Sequence, residues 1–350
     1  MLQVVANEPF EVLTMLTSLI VLLFALIDAR TKTDGFEYEF DNEGTIVGMQ
    51  FCGSSEKLIN RFRDQEFVSR VSKVKWVSLI VHDVTREEIE CLRKVPDLKS
   101  LRLGDCIDAI GLGPQVFEAL GEIENLDSLE VYGNEDVRVT ADELRQLNRL
   151  KSLSISGSVF RDGFSLSGLG DLSNLIALSL DIDNDLQNAD WLEKLVKLEA
   201  LSIEAKSLSR GVTSSIGHLR ELRTLTIGGF IFDRAELAVL QDLFGNSCGY
   251  MKDLEIEVFS SQDLSQLGRF SLLERLSVST KNTELFDASF VKRCPQLRTV
   301  HVRAPVEKRN VIDYSSDQHL FQMHGRLEWF SIRDLEGSNL VLDWKRLVAP

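Results

Sequence analysis

Apolar residues recur along the chain with a spacing that fits neither a helix nor an isolated strand. In Leu98–Cys106, leucines at positions 98, 101 and 103 are separated by a step of three residues and then a step of two. An amphipathic helix repeats its apolar residues every three or four positions, and a half-buried strand every second position. The mixed step predicts a turn that leads into a short strand whose last two apolar residues point inward.

The same step returns along most of the chain. Its central apolar residues are Val77, Leu101, Leu129, Leu153, Leu178, Leu201, Leu225, Leu254, Leu276, Val300 and Phe330. The intervals between these residues average about 25 residues, which is the period of a leucine-rich repeat. The pattern therefore predicts a solenoid of about eleven leucine-rich repeats.

The segments between the predicted strands change to helical spacing. In Thr85–Val95 the apolar residues share one helical face, and Thr85 with Glu88 matches a capping box. Similar helices are predicted at Ala141–Leu147 and Ala189–Leu195. Strand, loop and helix in each unit predict an α/β fold, with parallel strands on the concave face and helices on the convex face.

Both ends of such an array need covers, because an open end would expose apolar core. Gly35–Phe51 alternates apolar and polar residues around the turn Asp41–Gly44, which predicts a β-hairpin cap. An amphipathic helix follows, and Leu340–Trp344 is predicted to close the last repeat. The predicted organisation is an N-terminal segment over 1–32, a cap over 33–72, repeats over 73–335 and a C-terminal cap over 336–350.

The N-terminal segment contains the uncharged run Val12–Ile27. As a helix its 16 residues would span about 24 Å, against about 30 Å of bilayer hydrocarbon. We interpret it as a hydrophobic helix that crosses a membrane once; a cleaved signal peptide and a helix buried on the repeats are the alternatives. Arg30 and Lys32 follow the run and no basic residue precedes it, which favours cytoplasmic repeats over extracytoplasmic ones.

Composition and motifs narrow the possible functions. A formal net charge of −15 argues against nucleic acid as a partner, because clustered Lys and Arg supply affinity for phosphate. The sequence lacks a Walker A motif, and His319–His324 lacks the HExxH pattern, so we expect no catalytic residue, cofactor or metal. The five cysteines lack CxxC spacing and are interpreted as buried thiols: Cys52, Cys91, Cys106, Cys248 and Cys294.

The outward positions of the predicted strands describe the concave face. The outward positions of the central repeats carry mostly small side chains, and we call this surface the serine floor; its residues are Ser152, Ser154, Ser156, Ala177, Ser179, Asp181, Ala200, Ser202, Glu204, Thr224, Thr226 and Gly228. Later repeats carry the acidic triplet Asp253, Glu255 and Glu257 beside the basic residues Arg275, His301, Arg303 and Arg333. Three long repeat intervals place insertions at Gly104–Gln115, Phe230–Met251 and Ala304–Gln318, and insertions in solenoids often border a binding surface. The predicted partner-binding residues are Tyr132, Ser154, Ser179, Asp253, Glu255, Glu257, Arg275, His301 and Arg303.

These features, in their order along the chain, resemble those of a known protein family. An apolar segment, an aromatic hairpin with the turn D-N-E-G and the stretch VTREEIECLRKVPDLKSLRL (84–103) together resemble bacterial membrane-tethered leucine-rich repeat proteins. The resemblance covers residues 10 to about 345, although the asparagine ladder of such repeats survives only at Asn134. It implies a binding scaffold with varied ligands and no shared catalytic residues.

These observations predict a membrane-tethered scaffold that binds a protein or peptide through its concave face and C-terminal edge. Two alternatives remain at this level. One is a secreted recognition module released by signal cleavage, and the other is an enzyme or enzyme-regulating subunit that uses an insertion loop.

Overall fold

The computed structural model describes residues 35–343 apart from several internal segments. Those segments are 82, 105–110, 113–114, 134–140, 158–165, 233–236, 238–249, 259–263, 265–266, 268–269, 281–287, 304–328 and 334–339. The predicted membrane helix Val12–Ile27 lies outside the described residues. Across the described residues, no helix has both the length and the apolar composition that crossing a membrane requires.

One large sheet runs through the described part of the chain, in the order β1-β2-β3-β5-β7-β8-β9-β10-β11-β12-β13-β14-β15-β16. Its strands are β1 Phe36–Phe40, β2 Ile46–Cys52, β3 Trp76–Ile80, β5 Ser100–Leu103, β7 Ser128–Gly133, β8 Ser152–Gly157, β9 Ala177–Leu186, β10 Ala200–Leu208, β11 Thr224–Phe232, β12 Asp253–Val258, β13 Arg275–Thr280, β14 Thr299–Arg303, β15 Trp329–Arg333 and β16 Leu340–Asp343. A separate ladder joins β4 (Asp83–Val84) to β6 (Gly111–Leu112).

Neighbouring strands from β2 to β15 pair in parallel, whereas β1 and β16 pair antiparallel with β2 and β15. The central residues of the sequence pattern meet across the sheet, as Leu178 does with Leu201. A mixed α/β fold with a large parallel sheet fits the predicted leucine-rich repeat solenoid. The number of repeats and the capping roles of the two ends stay predictions.

Burial alternates along each strand as the sequence pattern requires. In β9, Leu178 and Leu180 are buried, whereas Ala177 and Ser179 are half-buried on the other side. Leu175, the first residue of the three-then-two step, is also buried. Removal of these leucines from water is the main favourable term in folding, so the repeat pattern specifies the register directly.

The backbone repeats one hydrogen-bond arrangement where strands begin. The carbonyl of Lys75 accepts from the N–H of Lys99 at 2.8 Å and from that of Ser100 at 3.0 Å. The carbonyl of Lys99 accepts in the same way from Asp127 and Ser128. Each turn is thereby tied to the previous turn, which sets the spacing of successive strands.

The helices between strands are short and lie at Ser55–Arg63, Gln65–Arg70, Arg86–Leu92, Val116–Gly121, Ala141–Arg145 and Arg210–Ile216, with 3₁₀ helices at Leu166–Asp171, Asp190–Lys194 and Ala288–Arg293. The predicted capping box at Thr85 is confirmed. The helix predicted at Ala189–Leu195 is instead the 3₁₀ helix Asp190–Lys194. Close packing accompanies this tighter form, because a Cβ on Gly170 of the preceding 3₁₀ helix would lie 3.0 Å from the Trp191 carbonyl oxygen.

The predicted hairpin is formed by β1 and β2. Its turn is held by Asp41, whose Oδ1 accepts from the N–H groups of Glu43 and Thr45 at 2.9 Å each. The Trp76 indole lies so close to Gly48 that a Cβ there would overlap the ring. Its Nε1 donates to Glu39 Oε2 at 2.7 Å. The hairpin is therefore fixed to the first strand of the repeat pattern by an aromatic contact and a hydrogen bond.

The capping box formed by Thr85 and Glu88 leads to a prediction about how stability depends on pH. Glu88 is 1% exposed and accepts from the Thr85 N–H at 2.8 Å. Burial raises the pKa of Glu88, but hydrogen bonds from the Thr85 and Ser55 side chains and from backbone N–H groups outweigh it, so the pKa falls below its ordinary 4.5. A carboxyl group whose pKa is lower in the folded protein than in the unfolded chain stabilises the fold at pH values above its unfolded pKa. This stabilisation is lost as the pH falls through the pKa of the folded protein.

Glu88→Gln should therefore lower the free energy of unfolding by about 1 kcal/mol at pH 7. The difference from the parent chain should shrink at pH 3, where Glu88 is increasingly protonated. Urea unfolding at both pH values measures it. Glu87→Gln on the exposed side of the same helix is the control and should change stability by less than about 0.5 kcal/mol. If Glu88→Gln lowers the free energy of unfolding by the same amount at pH 7 and at pH 3, the low pKa of Glu88 is not the source of the difference in stability.

Candidate partner-binding site

The register of the sheet aligns outward side chains into rows across the face that the sequence predicts to be concave. The middle row, from β5 to β14, consists of Arg102, Glu130, Ser154, Ser179, Ser202, Thr226, Glu255, Ser277 and His301. Small hydroxyl residues occupy its centre, whereas Arg102 and Glu130 lie at one end and Glu255, Ser277 and His301 at the other. The structure thus brings Ser154 and Ser179 together as neighbours on the serine floor.

Tyr132 lies at the N-terminal side of this floor. Its hydroxyl donates to Glu130 Oε1 at 2.6 Å, and Arg102 Nε donates to Glu130 Oε2 at 2.7 Å. The Arg102 guanidinium carbon is also 5.9 Å from the centre of the Tyr132 ring. Tyr132 is thus part of an internal ion-pair and aromatic cluster. Five strand spacings separate its strand β7 from β12, or about 24 Å.

The C-terminal edge brings six of the predicted residues together. Strands β12, β13 and β14 lie side by side in parallel, and their outward residues form three rows of three. These rows, which we call the charged edge, are Asp253, Arg275 and Thr299; Glu255, Ser277 and His301; and Glu257, Ser279 and Arg303. The predicted grouping of acidic and basic residues on adjacent strands is present in the fold.

Opposite charges contact one another across these strands. Arg275 Nη2 pairs with Asp253 Oδ2, and the Thr224 hydroxyl donates to that oxygen at 3.4 Å. Glu255 Oε1 accepts from the Ser277 hydroxyl at 3.3 Å and lies 3.8 Å from Arg303 Nη1. Such cross-strand pairs orient the side chains and contribute modestly to stability. The exposed Arg303 head group and the half-buried Glu255 remain accessible to solvent.

Asp253 differs from the sequence expectation. The pattern predicts an outward, surface carboxylate, whereas the residue is 5% exposed. The physical reason is its neighbours: the long Arg275 side chain on the next strand pairs with it, and Thr224 contacts it from the strand before. A buried carboxylate requires such partners, since desolvation of an unpaired charge is costly. Whether Asp253 binds a partner stays a prediction.

A small cavity opens between these side chains. Its volume is about 30 Å³, and it is lined by Asp253, Leu254, Glu255, Arg275, Leu276, Ser277, Thr299 and His301. Thr224, Ser277 and Thr299 were not among the predicted site residues. Their outward positions next to Asp253 and His301 in the repeat register were the signal that would have identified them.

The insertions are described only in part. In Gly104–Gln115 the structure shows β6, which pairs with β4, and a left-handed φ of 64° at Gln115. Most of Phe230–Met251 and all of Ala304–Gln318 lie outside the described residues. That the insertions border a binding surface therefore stays a prediction.

Among the described residues, no group of three or more His, Cys, Asp or Glu side chains is placed to hold a metal ion. Cys91 and Cys294 are buried thiols, as expected, whereas Cys52 is exposed at the end of β2. Burial raises the pKa of Cys294 to about 12, which keeps this thiol protonated and inert. Cys106 and Cys248 lie outside the described residues.

Comparison with known proteins gives structural similarity only. No protein-family model matches the sequence, and no curated protein matches it. Among solved structures, the chain is similar to the crystal structure of the TLR13-ssRNA13 complex, with 15% sequence identity and a TM-score of 0.46. The similarity covers 75% of this chain and 36% of that chain, so this chain spans about a third of the solved structure.

Proposed function

We propose that this chain is a non-catalytic leucine-rich repeat scaffold that binds a protein or peptide partner through its concave face and C-terminal edge. The charged edge is the observation that carries the proposal. It presents acidic, basic and hydroxyl side chains at fixed spacing on three adjacent strands. Side chains on regular strands are held more precisely than those on loops, which suits recognition of one partner surface.

The rest of the concave face supports this role. The serine floor beside the charged edge carries short side chains, so a partner's backbone can approach the sheet closely. Complementary charges at an interface mainly accelerate association and exclude wrong partners. The charged edge therefore supplies specificity, and the serine floor supplies contact area.

A double charge reversal tests the site against a partner found by pull-down with the full-length chain. Glu255→Lys with Glu257→Lys should weaken binding by about tenfold or more and reduce its dependence on salt, because rim charges steer association. The measurement is the dissociation constant, at low and at physiological salt, by titration calorimetry.

The matched control changes Ser154 and Ser179 to Arg on the serine floor and should have the smaller effect. If the floor variant abolishes binding while the charge reversal leaves affinity and salt dependence unchanged, the main contact lies on the floor and the assignment is wrong.

The proposal includes a membrane tether formed by Val12–Ile27, with the repeats on the cytoplasmic side. Its support is the uncharged run itself, the basic residues after it, and the resemblance to bacterial membrane-tethered leucine-rich repeat proteins. A secreted module released by signal cleavage is the alternative. Sedimentation with membranes that only detergent reverses favours the tether, whereas a soluble product that begins near residue 30 contradicts it.

A further inference from the structure

Two exposed apolar side chains lie together on the turns that lead into β12 and β13. Tyr250 is 53% exposed and Leu272 is 38% exposed. They occupy the same position in adjacent repeats, three residues before the register pair of Asp253 and Arg275. Neighbouring strands lie about 4.8 Å apart, so the two side chains form one surface. We call this pair the turn patch.

The turn patch departs from the chemistry of the other repeats. Its position is directly before the first apolar residue of the three-then-two step, and from β7 to β14 the other occupants are polar: Asn125, Arg149, Asn174, Lys197, Glu221 and Gln296. The fold therefore does not require an apolar residue there. The other large apolar side chains that are exposed in the described residues are not at matching positions of adjacent repeats: Phe40, Ile176 and Val196. Clustered exposed apolar residues mark interaction surfaces, and tyrosine is enriched among the residues that dominate binding.

A net basic row of residues borders the turn patch. The residues directly after the first apolar residue of each step, which we call the strand-start row, are Arg223, Lys252, Glu274 and Arg298 in the repeats of β11 to β14. Three basic residues and one acidic residue give a formal charge of +2, in a chain of −15. The charge is still +1 when Glu199, which lies 3.6 Å from Arg223, is counted. Glu274 Oε1 is already paired with Lys252 Nζ at 3.1 Å. The strand-start row is therefore complementary to an acidic segment.

We propose that the turn patch receives an apolar side chain of the partner, and that acidic residues beside it contact the strand-start row. Burial of this side chain against Tyr250 and Leu272 removes apolar surface of both proteins from water. The patch is continuous with the charged edge, since Tyr250 is three positions before Asp253. This inference rests on the proposed function and gives the partner's chemistry: an apolar residue between acidic ones, with basic residues where the partner reaches Glu255 and Glu257.

The test uses the full-length chain labelled with 3-fluorotyrosine, because it has only four tyrosines and Tyr250→Phe identifies the fluorine signal of the patch. The probe is the capped peptide Glu-Glu-Leu-Phe-Glu-Glu. One comparison peptide has lysine in place of the glutamates, and the other has Ser-Ser in place of Leu-Phe. The probe should shift the Tyr250 signal saturably and leave that of Tyr132 on β7 unchanged. The lysine peptide should bind at least about tenfold more weakly, and the serine peptide should give no saturable shift.

Two variants and one control assign the effect to this surface. Leu272→Gln copies the residue that the next repeat carries at this position and should weaken binding of the probe about tenfold or more. Lys252→Glu should abolish the preference for the probe over the lysine peptide. Val196→Gln removes an apolar side chain that is 57% exposed on another turn and should bind the probe like the parent chain. Equal binding of the three peptides, or binding unchanged in both variants, overturns the proposal.

Sedimentation velocity tests whether a second copy of the chain covers the turn patch instead. A dimer that forms in the parent chain and is lost in Leu272→Gln overturns the proposal. A monomeric parent chain at the same concentration agrees with a separate partner.

The partner found by pull-down separates this inference from the proposed function. If Glu255→Lys with Glu257→Lys abolishes partner binding, but the probe does not bind and Leu272→Gln has no effect, only this inference fails. If the probe binds at the turn patch but no variant of the charged edge or the serine floor changes partner binding, the proposed function fails instead.

Discussion

Replacing Leu178 with aspartate is expected to unfold the central repeats. Leu178 is 2% exposed and pairs in register with Leu153 and Leu201 on the neighbouring strands. The substitution removes a buried leucine and places an unpaired carboxylate among apolar side chains, which should cost about 4–5 kcal/mol or more. Far-UV circular dichroism and urea unfolding measure the loss.

Ser179→Asp is the matched control, because it adds the same charge one residue further along β9 on the outward side. Its free energy of unfolding should change by less than about 1 kcal/mol. Similar losses in both variants would show that the assigned inward and outward faces of the strand are wrong.

Replacing Gly229 with alanine is expected to have the second largest effect. Gly229 lies in β11 with a φ of +73°, where the register with β12 shifts between Thr226 and Ile231. A Cβ at this position would overlap the carbonyl oxygen of Ala205 on β10 and lie 2.8 Å from its carbonyl carbon. Backbone atoms cannot rotate away, so the strands must separate, and the cost should be about 3 kcal/mol or more.

Gly44→Ala separates the cost of a left-handed φ at an L-residue from the cost of the overlap with Ala205. Gly44 has a similar φ of +80°, but a Cβ there meets nothing within 4 Å. It should cost only about 1 kcal/mol, the penalty for an L-residue in the left-handed region. Thermal unfolding of both variants gives the comparison. If Gly229→Ala is no more destabilising than Gly44→Ala, the close contact with Ala205 is absent in solution.

The sequence predicts those features that one repeat determines by itself. The inward position of Leu178 follows from local spacing, and the capping box follows from Thr85 and Glu88 being three residues apart. The register also carries much of the site, since it places Glu255, Ser277 and His301 in one row. Burial of Asp253 could not be read from its own strand, because it depends on how the flexible Arg275 side chain lies across it.

The spacing of apolar residues also does not predict the irregularities of the backbone. The register shift in β11 lies between Thr226 and Ile231, a stretch that contains Gly229, and a periodic pattern describes only what repeats. The 3₁₀ helix Asp190–Lys194 packs closely on the preceding repeat, a contact that the spacing of apolar residues does not specify. The cavity of the charged edge depends on side-chain conformations on three strands, which spacing alone does not determine.

The antiparallel strands at the two ends of the sheet have a consequence for self-association. A run of parallel strands has two complementary edges, and copies joined head to tail through such edges would extend into fibres without closing. In the described residues, β1 and β16 cover the edges of β2 and β15 with chain direction reversed. Among the described residues, the outermost strands are therefore β1 and β16, so a second copy does not meet the edge of the parallel run itself.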